Sequence, residues 1–187
     1  MRMGGSADEG SLPASIQVGG TLNTVGVAIE SSGAVGVAMG TNSTGAGNKD
    51  GFVIKLNETN GSVIWQKTFG GTGEDALTDI APVADGGFFV AGTFSGFDAW
   101  VLKLDTDGAV VWQNKYSGGQ DDYINGITAT TDGGVVTVGH TYSLGQGGGD
   151  ALVQKINSTG GVVWSKVYGF VTTLELANDV IQGTDGN

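Results

Sequence analysis

The residues of this chain that could do chemistry recur at a nearly fixed spacing. Aspartates lie 48 and 52 residues apart, and a lysine follows each of them five residues later. The recurring side chains are Asp50, Asp98 and Asp150 with Lys55, Lys103 and Lys155. They are able to line a channel as an ion ladder, but a catalytic group rarely recurs in every repeat, whereas structural contacts do. We therefore interpret them as ion pairs or hydrogen bonds that tie loops to strands.

A tryptophan and a second acidic residue recur in the same way. The tryptophans are Trp65, Trp112 and Trp164, and the acidic residues are Asp75, Asp122 and Glu175. Stacking on a sugar is one role open to the tryptophans, but their recurrence favours anchors packed between repeats. A carboxylate beside a turn accepts main-chain N–H groups, so we expect the second acidic residues to pin loops.

The remaining candidates for catalysis or ligand binding carry weak patterns. His140 is the only histidine, and without a Ser-His-Asp arrangement it is interpreted as a solvated or turn-bonding side chain. The turn at 105–108 lacks the further oxygen ligands of a calcium loop. The glycine-rich run at 145–149 lacks the Lys-Ser/Thr end of a phosphate loop. We therefore predict no catalytic residue, no metal site and no cofactor.

The charge of the chain excludes several classes of partner. Nineteen acidic residues outnumber eight Lys and Arg, which gives a formal net charge of −11. Such an acidic chain is a poor match for nucleic acid or for anionic lipid. No apolar run approaches the ~20 residues that span a bilayer, so we predict no membrane insertion. Cysteine is absent, which removes disulfides, thiolate nucleophiles and Cys-based zinc sites.

The 36 glycines lie between apolar runs, where they indicate turns rather than disorder. In the unit that begins at Asp98, strands are predicted at 99–104, 110–116, 124–129 and 135–138. Because turns this short force antiparallel neighbours, the unit is predicted to be a four-stranded meander. Trp100, Leu102 and Leu104 point to one side and Ala99 and Val101 to the other, which is typical of a strand between two sheets.

These observations predict an all-β fold, namely a β-propeller built from four-stranded antiparallel blades with about 3.5–4 repeats in the chain. Residues 1–15 are expected to be a flexible N-terminal segment or a cloning remnant. Residues 16–187 are expected to form the repeat domain. Its units are a partial one at about 16–49, whole ones at 50–97 and 98–149, and a partial one at 150–187.

The repeated motifs resemble those of a bacterial β-propeller repeat family found in secreted and surface proteins. The motifs are Asp-x-x-Val-x-Lys-Leu/Ile from Asp50, Asp98 and Asp150, Val-x-Trp ending at each recurring tryptophan, and Asp-Gly-Gly from Asp85 and Asp132. The resemblance covers roughly residues 16–187. It implies the propeller fold, an extracytoplasmic or secreted location, and service as a binding or scaffold module without a shared chemistry.

We therefore predict a non-catalytic binding or scaffold module with a protein or glycan ligand. Trp100, Tyr123 and Tyr142 are the aromatic side chains expected at its binding surface. Two alternatives remain open: a fragment or structural repeat unit of a longer surface protein, and a carbohydrate-active hydrolase or lyase that uses channel carboxylates. Because an open arc of repeats leaves bare strand edges, we also predict a homo-oligomer, with a dimer favoured, in which terminal strands of two chains complete shared blades.

Overall fold

The structure is a computed structural model that describes residues 23–29, 34–41 and 48–186. Within these ranges all regular secondary structure is β-strand, and no helix is long and apolar enough to cross a membrane. The predicted segment 1–15 and much of the partial unit at 16–49 lie outside the described residues. The prediction of an all-β chain is confirmed.

The strands form three four-stranded antiparallel sheets, each ordered as in the sequence. The first sheet contains β1 (Asn23–Ile29), β2 (Val35–Thr41), β3 (Asp50–Leu56) and β4 (Val63–Phe69). The second contains β5 (Ala76–Pro82), β6 (Phe88–Phe94), β7 (Asp98–Leu104) and β8 (Val110–Tyr116). The third contains β9 (Asp122–Ala129), β10 (Val135–Thr141), β11 (Asp150–Ile156) and β12 (Val162–Tyr168).

The sheets stack face to face through their first strands, which we call the inner strands. β5 packs against β1 and β2, and β9 packs against β5 and β6. Each fourth strand carries a β-bulge at the same place in its pairing with the third, and the extra residues are Ile64, Val111 and Val163. The three sheets are therefore structural copies of one another.

The sheets are out of phase with the sequence units, so the meander predicted for residues 98–149 is wrong. β7 and β8 pair in the second sheet, whereas β9 and β10 pair in the third. Within this unit the chain leaves the second sheet after β8, which is the fourth strand of that sheet, and enters the third sheet at β9. The second and third sheets thus begin near Asp75 and Asp122, and the Asp98 motif lies on the third strand of the second sheet.

Two apolar cores fill the spaces between the sheets. Phe88 and Leu102 belong to the core between the first and second sheets, and Phe89 and Val101 belong to the core between the second and third. The two-sided burial predicted for β7 is therefore confirmed, because its alternate side chains enter different cores. Burial of such side chains contributes about 1.5–3 kcal/mol each.

The segment after β12 continues the stack without pairing as a strand. The Glu175 N–H donates to the carbonyl of Gly149 at 3.0 Å. The inner strands of the second and third sheets are attached by the same bond, from Asp75 to Lys49 at 2.9 Å and from Asp122 to Phe97 at 2.8 Å. Residues 175–182 therefore lie where the inner strand of a following sheet would lie.

Candidate functional site

The acidic residue before each inner strand holds the loops at one end of the sheets. Asp75 is fully buried, and it accepts the N–H of Gly71 at 2.6 Å and of Ser95 at 2.8 Å. Asp122 accepts the N–H of Gly118 at 2.9 Å and the hydroxyl of Ser143 at 2.7 Å. These contacts join the loop before the inner strand to the loop after the second strand.

The corresponding residue after the third sheet makes fewer contacts. Glu175 accepts the N–H of Phe170 at 3.2 Å and the hydroxyl of Thr173. Its segment is more exposed than an inner strand of the stack, and Leu174 and Ile181 are 51% and 81% exposed. The same device therefore anchors residues 175–182, but it leaves them open to solvent.

An aromatic cluster lies at this end of the third sheet. The ring of Tyr123 stacks on His140, with centroids 4.7 Å apart and planes at 15°. The ring of Tyr142 meets His140 edge to face, with centroids 5.7 Å apart. The Tyr142 N–H donates to the Asp121 carbonyl at 2.9 Å, so the loop before β9 is joined to the loop after β10 beside this cluster. We call Tyr123, His140 and Tyr142 the aromatic triad.

The aromatic triad departs from the repeat. Strand register places His140 where the other two sheets have Thr93 and Gly40. The constant offset of 47 residues between the second and third sheets places Tyr123 at the position of Ala76, and Tyr142 at that of Ser95. Three aromatic or imidazole rings thus replace small side chains in this one sheet. Packing alone does not require this change, because the other sheets stack without it.

The electrostatic environment of the triad favours neutral rings. Burial lowers the pKa of His140, and the nearby Asp122 carboxylate opposes this only in part. Burial raises the pKa of Tyr123, and the Asp121 carboxylate, which accepts its hydroxyl at 3.3 Å, raises it further. The Nδ1 atom of His140 is buried and has no hydrogen-bond partner. Burial therefore favours the neutral forms of His140 and Tyr123.

One of the three aromatic residues predicted at a binding surface is not there. Trp100 is only 2% exposed and lies in the core between the first and second sheets, with its ring 5.5 Å from that of Phe94. This prediction was wrong because the side chain points into a core on a strand that is buried on both faces. Tyr123 and Tyr142, in contrast, lie together in the triad.

Two of the recurring tryptophans pack between neighbouring sheets. The Trp65 Nε1–H donates to the Thr106 carbonyl at 2.9 Å, and the Trp112 Nε1–H donates to the Ser158 carbonyl at 2.8 Å. Each acceptor lies in the turn between the third and fourth strands of the next sheet. Trp164 is 42% exposed and lines a groove of about 560 Å³ on the open face of the third sheet.

The recurring lysines reach turns rather than a common channel. Lys103 pairs with Asp85 at 2.9 Å, and Lys155 pairs with Asp132 at 2.7 Å, so each ties a third strand to the turn between the first two strands. The Lys55 ammonium donates to the carbonyls of Gly86 and Thr106 in the next sheet.

Two of the recurring aspartates that begin the third strands, Asp50 and Asp150, are buried, whereas Asp98 is partly exposed. Asp98 pairs with Lys115 at 3.4 Å, and Asp150 accepts the Gln146 N–H at 2.9 Å. Across residues 23–29, 34–41 and 48–186, no three His, Asp or Glu side chains come together in a way that could hold a metal ion.

Asp79 is an unusual inner-strand residue that the sequence pattern did not single out. It lies at the position of Gly126, so it does not recur in the third sheet. Burial raises its pKa, and Asp179 adds to that effect. Both of its oxygens are occupied, by the N–H groups of Ile80 at 2.8 Å and Ile127 at 2.9 Å. These bonds give Asp79 a structural role that links two inner strands.

No protein-family model and no curated protein matches the sequence. Among solved structures, the chain is similar to a protein of unknown function from Bacteroides caccae, with a TM-score of 0.53 and 11% identity over 76% of this chain. It is also similar to the major Malassezia sympodialis allergen Mala s 1, with a TM-score of 0.46 and 15% identity over 70% of this chain. The matched regions span 47% and 45% of those two chains. The first likeness concerns the fold, and it is compatible with the stacked-sheet architecture.

Proposed function

We propose that this protein is a non-catalytic binding module of β-propeller type whose ligand contacts the aromatic triad. The observation that carries the proposal is the replacement of small residues by Tyr123, His140 and Tyr142 in one sheet of a repeating stack. Residues that pack the sheets together recur in every sheet. A residue found in only one sheet is better explained by a function particular to that sheet, such as ligand binding. The sequence resemblance to bacterial propeller repeats agrees with a binding module.

The chemistry of the triad favours a neutral glycan. Tyrosine rings offer flat apolar faces to the C–H groups of a sugar ring, and their hydroxyls bond its hydroxyl groups. The His140 ring lies against both tyrosine rings and holds them in place, whereas its buried Nδ1 is out of reach of a ligand. Asp121 lies beside the triad and Glu175 lies on the adjoining segment, and both carboxylates would repel an anionic glycan.

The test is an array of neutral oligosaccharides, followed by calorimetric titration of the best binder. Tyr142→Ala is expected to weaken binding about tenfold, because a central aromatic contact typically contributes at least 1.4 kcal/mol. Phe170→Ala is the matched control, because Phe170 is an exposed aromatic residue outside the triad, at 74% exposure. Absence of any bound oligosaccharide, or equal affinity of the two variants, contradicts the proposal.

A second candidate is a structural repeat unit of a longer surface protein. The observation that favours it is the extent of the structural match, because the similar region is about half of the Bacteroides caccae chain. In that case residues 175–182 serve as the first strand of a further sheet. Sequencing of the parent gene tests this candidate directly, since it requires further repeat units in the same reading frame.

The alternative of a carbohydrate-active hydrolase or lyase requires a free pair of carboxylates. Asp79 and Asp179 are near enough to interact, but Asp79 has both oxygens engaged by main-chain N–H groups. The oligosaccharides that bind the protein also test this alternative, through the release of reducing ends or unsaturated products. Turnover that is lost in Asp179→Asn would favour the enzyme over the binding module.

A further inference from the structure

The same contact closes both of the interfaces between sheets. In each one a tryptophan on a fourth strand is capped by the turn between the third and fourth strands of the next sheet. Trp65 is capped at Gly108 and Trp112 at Gly160, and a Cβ atom on these glycines would lie within 3.1 and 3.2 Å of the indole rings. Both glycines have positive φ, at 71° and 87°. The contact thus combines an indole hydrogen bond with a glycine pressed against the ring.

The third tryptophan is left uncapped on the open face of the third sheet. Trp164 pairs with Lys155 in the same register in which Trp65 pairs with Lys55 and Trp112 with Lys103. Its side chain is 42% exposed, and it shares a groove with Val136 and Val153 and with Ile181 and Gly186 of the C-terminal segment. This face therefore has the residues of a sheet-to-sheet interface without the next sheet.

At the opposite end of the stack, one capping turn has no tryptophan. The turn from Asn57 to Gly61 closes with the bond from the Gly61 N–H to the Asn57 carbonyl at 2.8 Å, as the other two turns do from their own glycines. Gly61 also has positive φ, at 68°, and the turn is exposed. It is one residue longer than the turns at 105–108 and 157–160.

Only one tryptophan of the chain is available to pack against the Asn57–Gly61 turn. The chain has four, of which Trp65 and Trp112 are capped by other turns and Trp100 is buried in a core. Trp164 is the remaining one. It lies on the third sheet, at the far end of the stack from the Asn57 turn, so a second copy of the chain supplies the partner.

We propose that the open face of the third sheet binds the first sheet of a second copy, head to tail, with Trp164 capped by the Asn57–Gly61 turn. Residues 175–182 then act as the inner strand beside β2 of the second copy, in exchange for the β1 strand that pairs with β2 in the single chain. The position before β1 holds Leu22, whereas the other inner segments begin with Asp75, Asp122 and Glu175. The incoming segment therefore brings the loop-holding carboxylate that β1 lacks.

The turn without a tryptophan carries an acidic residue where the other two turns carry a hydroxyl residue. In the first interface the Lys55 ammonium lies 3.3 Å from the carbonyl of Thr106, the residue whose equivalent in the Asn57 turn is Glu58. The equivalent lysine on the open face is Lys155, whose ammonium pairs with Asp132 at 2.7 Å, so Glu58 of the second copy comes beside this ion pair. Thr106 and Ser158 are neutral at this position, so the acidic residue is particular to the turn without a tryptophan.

Two copies related in this way close a ring. Each copy contributes its second and third sheets, and each junction makes one composite sheet. The ring then has about six sheets, within the usual range of about 4–8 propeller blades. A heterologous interface of this kind forms a closed assembly only when its rotation matches the number of units.

The first test is solution mass by size-exclusion chromatography with light scattering. We expect a dimer, at about twice the chain mass of 18.8 kDa. Trp164→Ala and Glu58→Lys each remove one side of the junction, and each is expected to raise the dimer dissociation constant on the order of 30-fold. Both residues are exposed, so neither change disturbs a core. Val163→Ala is the control, because this neighbouring residue is 57% exposed and does not line the groove beside Trp164.

A mixing experiment separates a broken junction from a misfolded variant. A Trp164→Ala copy retains a native Asn57 turn, and a Glu58→Lys copy retains a native Trp164. Their mixture therefore regains one of the two junctions, and we expect a heterodimer from two monomeric variants. A monomeric native chain, a dimer that survives both substitutions, or a mixture that stays monomeric would overturn the proposal.

Discussion

Asp79 on β5 accepts the main-chain N–H of Ile127 on β9 at 2.9 Å, and this bond joins the inner strands of two different sheets. A β-bulge interrupts β5 between Leu77 and Asp79, next to the carboxyl group. The other carboxylate oxygen accepts the Ile80 N–H at 2.8 Å. One side chain therefore satisfies two main-chain donors that strand pairing does not reach.

Replacement of Asp79 by alanine is expected to lower the free energy of unfolding by about 2–4 kcal/mol, because two donors lose their acceptor. Asp79→Asn keeps one acceptor oxygen, so its loss is expected to be about half as large. Urea denaturation followed by tryptophan fluorescence measures both. Equal stability of the alanine variant and the native chain would show that water replaces the carboxylate without cost.

A second prediction concerns the glycine caps on the tryptophans. Gly160→Ala is expected to destabilise the chain by about 2–4 kcal/mol, because the residue has φ of 87° and its Cβ would lie 3.2 Å from the Trp112 ring and 2.4 Å from Asn114 Nδ2. Gly133→Ala is the matched control. Gly133 has φ of 78°, but its Cβ would meet only Ser158 Cβ at 3.7 Å.

The control variant therefore carries the conformational cost of about 1–2 kcal/mol without the contact with the indole ring. The difference between the two thermal or urea unfolding curves isolates the contribution of the cap. If the two variants are equally stable, the glycine is required by the turn alone and the tryptophan has room for a side chain.

The strands were predictable from the sequence, but the division into sheets was not. The apolar alternation of β7 identified a strand between two sheets, because the two sets of side chains enter two cores. Loop length, however, did not show where one sheet ends. The connection at 117–121 passes between sheets, yet it is no longer than the turn at 83–87 within one sheet. Only the packing of inner strands against one another distinguishes the two.

The candidate site was predictable only in part. Tyr123 and Tyr142 are aromatic at positions where the repeat has small residues, so comparison of the units is the signal that identifies them. His140 lies between them in space, and the same comparison with Thr93 would have identified it. Trp100 was assigned to the binding surface although its strand was predicted to lie between two sheets, and burial of the ring follows from that prediction.

The last prediction uses the presence of a single histidine in the chain. Burial lowers the pKa of His140 below 6.5, so the unfolded chain binds a proton at this residue at a higher pH than the folded chain does. Stability from this residue is therefore complete above pH 6.5, and it is lost as the pH falls through the lowered pKa. His140→Thr, which introduces the residue of the second sheet, is expected to remove this slope. Urea denaturation of both chains from about pH 8 to about pH 5 measures it, and nuclear magnetic resonance of the imidazole gives the pKa directly. The prediction is wrong if the free energy of unfolding changes with pH in the same way for the native chain and for His140→Thr. His140 would then be as well hydrated in the folded state as in the unfolded state.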